Sequence, residues 1–272
     1  MPAVGERIDR RALLRSGGFL TLSGVLAACT GGSRPSAGNS ATAAPRTTTS
    51  APSTPSTTAP KPSAVGLLDQ AGTCSLTPET IAGSTWFDAA AVRSSVRDGR
   101  PGVPLELAFR VEKAAGCTPL PNAVVDLWQC DALGVYSGFA QARPGRGGSP
   151  GGRDRYGDAQ AVATDADRWL RGTQVTDRTG VVTFRSIYPG WYPTRTAHLH
   201  LKVHLDSSTV LTTQLFFDDA VSDAVYAAND PYRQHPGRDT RNAQDAFYKP
   251  TAQLHLARGG GGWLGAIVLA VR

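Results

Sequence analysis

Cysteine is scarce in this chain: four among 272 residues, with no zinc-type spacing between any of them. A disulfide-knit mini-domain and a cysteine-zinc module are both excluded. Long apolar runs are also missing. The run from Phe19 to Ala28 is broken by Ser23 and Gly24 and is too short to persist as a membrane-spanning helix. Acidic residues are sparse at the front. Residues 1–29 set Arg7, Arg10, Arg11 and Arg15 against Glu6 and Asp9, and residues 30–64 hold Arg34, Arg46 and Lys61 with no acid. Of the formal net charge of +6, these two stretches take +2 and +3, leaving +1 for residues 65–272. A nucleic-acid binder concentrates basic charge on its folded part, because phosphate neutralisation supplies the affinity. That partner class is excluded.

What is present at the front reads as export and tethering. Asp9-Arg10-Arg11 precedes the short apolar run, which ends in Leu26-Ala27-Ala28-Cys29. This is a secretory signal with a small-residue cleavage site. Cys29 after Leu-Ala-Ala resembles a bacterial lipobox, and the paired arginines resemble a twin-arginine signal, a route that exports folded chains. An ordinary secretory signal with basic residues at its head is the plainer alternative. Residues 30–64 are Ser, Thr, Ala, Gly and Pro almost throughout, with proline at 35, 45, 52, 55, 60 and 62. Such a segment buries too little to offset its chain entropy. The expectation is a disordered spacer between a lipid on Cys29, at the outer face of the cytoplasmic membrane, and a domain over 65–272.

That domain reads as all-β, a single sandwich. Leu105, Leu107, Phe109 and Val111 alternate with Glu106, Ala108, Arg110 and Glu112, the period of a half-buried strand. Further strands are predicted over 123–129, 180–187, 197–205, 210–217 and 263–271, separated by Gly, Pro and Asp turns. Thr77-Pro78-Glu79-Thr80 carries a helix-start signature and predicts a short turn. Residues 222–228 predict another. The Gly/Arg/Pro stretch over 141–154 reads as a mobile surface insertion. Cys117 and Cys130 flank one turn-and-strand unit. A bridge between them is the simplest pairing, closing about 14 residues.

Three of the five histidines fall in His198-Leu199-His200-Leu201-Lys202-Val203-His204. Residues two apart on a strand share a face. His198 and His200 therefore point one way, and Leu199, Leu201 and Val203 the other. Two imidazoles so placed can converge on one metal, or can simply line an exposed face. His204, His235 and His255 read as structural or exposed.

Three further segments stand in order: Val125-Asp126-Leu127-Trp128-Gln129-Cys130-Asp131-Ala132 running to Tyr136, Leu170-Arg171-Gly172-Thr173-Gln174, and Tyr188-Pro189-Gly190-Trp191-Tyr192-Pro193 before the histidine pair. Together they resemble the intradiol ring-cleavage dioxygenases, the catechol and protocatechuate 3,4-dioxygenase family, and within it the exported branch. The resemblance implies a non-haem iron(III) held by Tyr136, Tyr192, His198 and His200. Tyr192 and His200 would be axial, with Tyr136 and His198 equatorial. It implies that Arg195 stabilises charge developing on the substrate, that Tyr192 also serves as a base, and that Gln214 orients the substrate. The substrates would be a catechol and O2, and the product a cis,cis-muconate-type diacid. Phenolate oxygens favour iron(III), and imidazoles complete the set. Only five residues separate Tyr192 from His198, where better-known intracellular members carry a longer excursion.

Each residue has a plainer reading beside this one. Tyr136 could close a strand, Tyr192 could pack a turn, and Gln214 could be an ordinary strand polar residue. Arg195 has the wrong parity for the His198 face and needs a bend at Pro193-Thr194 to join it. The competing readings of the domain are a non-catalytic β-sandwich binding or structural module, and a zinc or copper site on the histidine pair alone. A homodimer is left open.

Overall fold

The computed structural model describes residues 61–272 apart from Thr73 and Cys74. The export signal, Cys29 and most of the spacer lie outside the described residues. In chain order the strands are β1 (Pro104–Lys113), β2 (Thr118–Pro119), β3 (Val124–Trp128), β4 (Pro150–Arg153), β5 (Ala159–Ala161), β6 (Arg171–Val175), β7 (Val181–Ile187), β8 (His198–Leu205), β9 (Ser208–Phe216), β10 (His255–Gly259) and β11 (Gly262–Val271). Helix α1 spans Asp219–Ala228. One sheet runs β10-β11-β1-β2 with β7 also beside β1, the other runs β6-β3-β8-β9, and β4 pairs with β5 alone. No described helix is long and apolar enough to cross a membrane.

The two sheets form a sandwich because alternation gives each an apolar face. Leu105, Leu107, Phe109 and Val111 of β1 and Phe184 of β7 meet Val125 and Leu127 of β3 and Leu199, Leu201 and Val203 of β8 in one core. Fully burying each such side chain contributes about 1.5–3 kcal/mol. The outer face of β8 is buried as well, and all its residues but Leu205 are classed as buried. A second apolar cluster lies over it, built from Trp86, Phe87, Trp128, Cys130, Tyr136, Phe139 and Tyr192. The histidine-bearing face is therefore an interior surface, and the exposed-face alternative for His198 and His200 is removed. Helix α1 starts where Asp218 accepts a hydrogen bond from Val221 N, and it begins three residues earlier than the pattern predicts.

Several expectations change. Thr77-Pro78-Glu79-Thr80 is extended, because its polar groups serve the sheets. Thr77 N donates to Ala270 O at 3.0 Å and Thr80 N to Thr212 O at 2.8 Å, while Thr77 Oγ1 accepts from Ala270 N at 2.9 Å. The segment thus straps β11 to β9. The 141–154 stretch is no free insertion. It contains β4, which is exposed, but its glycine turn packs against the domain: a Cβ on Gly147 or Gly148 would overlap the backbone at Ser84 or Val162. Cys117 is disulfide-bonded while Cys130 is a free, buried thiol. The Cys117–Cys130 pairing is therefore not formed. Cys130 sits instead in the apolar cluster, its thiol 3.6 Å from Gly190 O, and burial pushes its pKa well up.

Candidate metal centre

Four side-chain atoms close a ring outside β8. Tyr136 Oη lies 3.4 Å from Tyr192 Oη, which lies 3.0 Å from His198 Nε2. His198 Nε2 lies 3.2 Å from His200 Nε2, which returns to Tyr136 Oη at 3.0 Å. All four residues are buried, and Tyr192, at 8%, is the most exposed of them.

Local chemistry explains each placement. His198 and His200 come from alternate positions of β8, paired to Phe216 and Gln214 of β9. His198 Nδ1 lies 2.7 Å from Thr196 O. A carbonyl only accepts, so Nδ1 carries the proton and Nε2 presents its lone pair to the ring. The His200 ring is sandwiched by Trp128, stacked at 4.8 Å and 12°. Trp128 is its cross-strand neighbour on β3. Tyr136 rides on a loop held by Asp131, whose carboxylate accepts from Leu133 N and Val135 N at 2.9 and 3.0 Å and is bonded by Arg100. Tyr192 sits in a tight turn. Arg195 N donates to Tyr192 O at 3.0 Å, and Thr194 takes φ 72°. The bend that Arg195 needed is this turn.

Burial dominates the electrostatics. It holds the Tyr136 phenol well above its ordinary pKa and pushes Tyr192 up to about 12, with Arg195 pulling Tyr192 partly back. It pushes His198 down to about 3, helped by Arg195, and His200 well below the imidazole range, helped by His198 and Arg195. Without a cation the ring is thus two phenols and two neutral imidazoles. It contains no carboxylate. The ring fits a metal: an ion at the centre of a square with such edges would lie about 2.2 Å from each corner, close to a metal–nitrogen or metal–oxygen bond of about 2.0–2.2 Å. A bound cation reverses the pKa pattern by favouring phenolate. Two hard phenolate oxygens with two imidazoles suit a trivalent iron better than zinc or copper(I).

Arg195 and Gln214 meet beside the ring, Gln214 being the cross-strand partner of His200. Arg195 Nη2 donates to Gln214 Oε1, and Gln214 Nε2 donates to Ile81 O at 3.0 Å. The other histidines stand apart from the ring. His204 is buried on the same face of β8, 2.8 Å from Asp126 and 2.8 Å from Thr209 Oγ1, and stacks on Tyr156 at 3.7 Å. His235 stacks on Trp191 at 4.2 Å, and His255 is exposed. Between the ring and His204, Lys202 is buried. It is paired with Asp158 and lies 4.6 Å over the Trp86 ring. Sequence reasoning missed Asp245, whose Oδ2 accepts from Arg195 Nε at 2.8 Å and Thr196 N at 2.9 Å. It also missed Arg171, a fully buried guanidinium bonded to Ser137 Oγ, Ser137 O and Thr85 O at 2.8–2.9 Å. Asp245 has no local signal, and Arg171, though it stands in one of the segments that carry the resemblance, meets its partners from a distant part of the chain.

Residues 77–235 match the family described as Dioxygenase. An intradiol ring-cleavage dioxygenase from Tetranychus urticae is 29% identical, with 73% of this chain and 95% of that one covered and a TM-score of 0.63. A second dioxygenase crystal structure is 30% identical over 74% and 95%, with a TM-score of 0.65. Among curated proteins, chlorocatechol 1,2-dioxygenase of Rhodococcus opacus is 28% identical over 142 residues, 45% of this chain and 47% of its own. The chain spans about half the length of the curated relatives it matches. The match over more than half of the chain, together with the fold shared with these structures, shows that this chain belongs to the intradiol ring-cleavage dioxygenase family.

Proposed function

We propose that this protein is a non-haem iron(III) intradiol dioxygenase that opens catechol-type rings between their two hydroxylated carbons, placing both atoms of O2 in a cis,cis-muconate-type diacid. The observation that carries this reading is the closed ring of Tyr136, Tyr192, His198 and His200 at 3.0–3.4 Å. Relatives named for catechol and chlorocatechol support a vicinal diol as the substrate class. When bound, iron(III) would supply a Lewis-acidic centre that chelates the deprotonated diol.

The remaining steps belong to the chain. Tyr192 accepts a proton from an incoming diol hydroxyl: burial holds it as a phenol in the metal-free protein, and a bound cation, with Arg195 beside it, would favour the phenolate that can do so. Arg195 then faces the substrate with fixed positive charge, worth most where water is excluded. Gln214, anchored on Ile81 O, sets the far edge of the pocket. Thr196 O fixes the tautomer of His198, and Trp128 fixes the ring plane of His200, whose Nδ1 has no hydrogen-bond partner among the described residues. The apolar cover of Trp86, Phe87 and Phe139 keeps water from the back of the site.

The export reading belongs to the same proposal. The chain is carried out by a signal over residues 1–29 and tethered by a lipid on Cys29. Residues 30–64 act as a spacer, and the catalytic domain lies at the outer face of the membrane. A Cys29→Ser variant should leave the membrane fraction while keeping activity.

The decisive experiment loads the purified protein with iron(III) and measures its visible spectrum and O2 uptake with catechol. The expected outcome is a tyrosinate charge-transfer colour and one O2 consumed per catechol. Tyr192→Phe should shift and weaken the band, and His200→Ala should abolish iron retention. An unchanged spectrum in both variants, or no O2 uptake by iron-replete protein, overturns the assignment.

A further inference from the structure

Asp245 lies beyond the end of the family match at residue 235, yet it is bonded into the site. Its side chain is fully buried, and its cationic partner is Arg195. Oδ2 accepts both Arg195 Nε at 2.8 Å and Thr196 N at 2.9 Å, while Oδ1 accepts Phe247 N at 2.9 Å. The Phe247 ring, placed by that same bond, lies 4.8 Å from Arg195 Cζ. The guanidinium is thus held at its Nε edge by a carboxylate, at Nη2 by Gln214 Oε1, and across its face by an aromatic ring. Nη1 makes no hydrogen bond among the described residues. Its two N–H groups, with the second N–H of Nη2, are left for a ligand.

An arginine side chain has four rotatable bonds and is useful as a fixed charge only when its plane is locked. A buried carboxylate is costly unless paired and bonded, and Asp245 meets that condition only with Arg195 in this one pose. Resting on the reading under Proposed function, we infer that Asp245 is the positioning residue for Arg195. Its carboxylate fixes the guanidinium plane that faces the substrate, and it ties that plane to the Thr196 backbone beside the histidine pair. The C-terminal segment is then part of the reacting site's support and not an appendage to it.

The test is a substitution cycle on the iron-loaded protein: D245N, R195Q, and both together, with D245E as the variant that keeps the buried charge. Three quantities are read: iron content with the resting visible band, catechol affinity by anaerobic optical titration, and kcat and KM from O2 uptake. Iron content and the resting band should match wild type in D245N and D245E, because the four ring residues keep their own supports. D245N should lower kcat/KM by about 10- to 100-fold, the range for losing a charged buried hydrogen bond. D245E should recover part of that loss. In the R195Q background, D245N should change kcat/KM and anaerobic affinity by less than about 3-fold, because two residues acting through one contact are not additive. Should D245N fail to fold, D245E and R195Q complete the same cycle. Losses that multiply in the double variant, or iron lost from D245E, overturn the role of Asp245 while leaving the activity standing. An iron-replete wild type that consumes no O2 with catechol overturns the activity itself.

Discussion

The glycines of the 143–157 stretch offer a graded test of how the Tyr192 corner of the ring is held. Gly145 has φ 74°, and a Cβ there would fall 2.6 Å from both Cε2 and Cγ of Tyr192 and closer still to Cδ2. Gly157 has φ 86° with nothing within 4 Å, and Gly152 has neither a positive φ nor a neighbour. Alanine at the three positions therefore separates strain from overlap. Gly152→Ala should be neutral within about 0.5 kcal/mol. Gly157→Ala should cost about 1–2 kcal/mol for the left-handed backbone alone, a Tm fall of about 2–8 °C for a domain of this size. Gly145→Ala carries the same backbone cost plus the overlap. Relieving even the 2.6 Å approaches to ordinary contact near about 3.5 Å moves the ring by at least about 1 Å, and the nearer Cδ2 asks for more, at a further cost of about 1–3 kcal/mol. The same movement opens the 3.0 Å approach of Tyr192 Oη to His198 Nε2. Calorimetry and iron content are the assays. The expected order of Tm is Gly152→Ala above Gly157→Ala above Gly145→Ala, with iron retention impaired in the last alone. A Gly145→Ala protein with the Tm and iron content of Gly157→Ala would refute the claim that the loop braces Tyr192.

Three other outcomes are expected. Burial would raise the Asp158 carboxyl, but hydrogen bonds from Lys202 and Thr209 outweigh it and hold its pKa below the usual value. Its stabilising contribution is therefore present above the unfolded pKa of about 3.9 and is lost as pH falls through the folded value. The Tm gap between wild type and Asp158→Asn should be constant near neutrality and shrink below about pH 4. A gap that widens on acidification would contradict this. Lys202→Met removes the cation beside Asp158 and the fully buried Asp154 and should cost about 3–5 kcal/mol by denaturant unfolding; wild-type stability would show the pair to be dispensable. Iron chelation should remove colour and O2 uptake together, iron(III) should restore both, and zinc should restore neither; zinc-supported uptake would remove the tyrosinate–iron account.

Much of this was readable from residue order. Period-two alternation located β1 and β8, and the turn signals and apolar runs between them located β3, β7, β9 and β11, all to within two residues at either end. The strands missed lack these signals. β4 and β10 are exposed or half-buried, β2 and β5 are two and three residues long, and Arg171–Val175 has a buried arginine where alternation expects an apolar residue. Strand geometry put His198 and His200 on one face but left a metal site and an exposed face equally open. The tyrosines entered only through the family resemblance, and the structure brings them to the same point. Asp245 and Trp128 show where sequence reasoning ends. Each acts on its partner through space, beside the ring or across a strand pair, and no local spacing encodes that. The Thr77 helix-start signal failed for a related reason: its hydroxyl and amide were claimed by β11, and a tertiary partner outcompeted a local one.

Strand β8 has no face turned to water, and this divides the labour of change within the molecule. Side chains on it answer to two packed interiors at once, so drift there endangers folding before it adjusts selectivity. Ile81, exposed where its carbonyl holds Gln214, meets the same site from outside that constraint. A lineage adapting to other ring substituents would therefore accumulate its differences there, while the histidine strand and the glycine turn packed on Tyr192 stayed nearly unaltered.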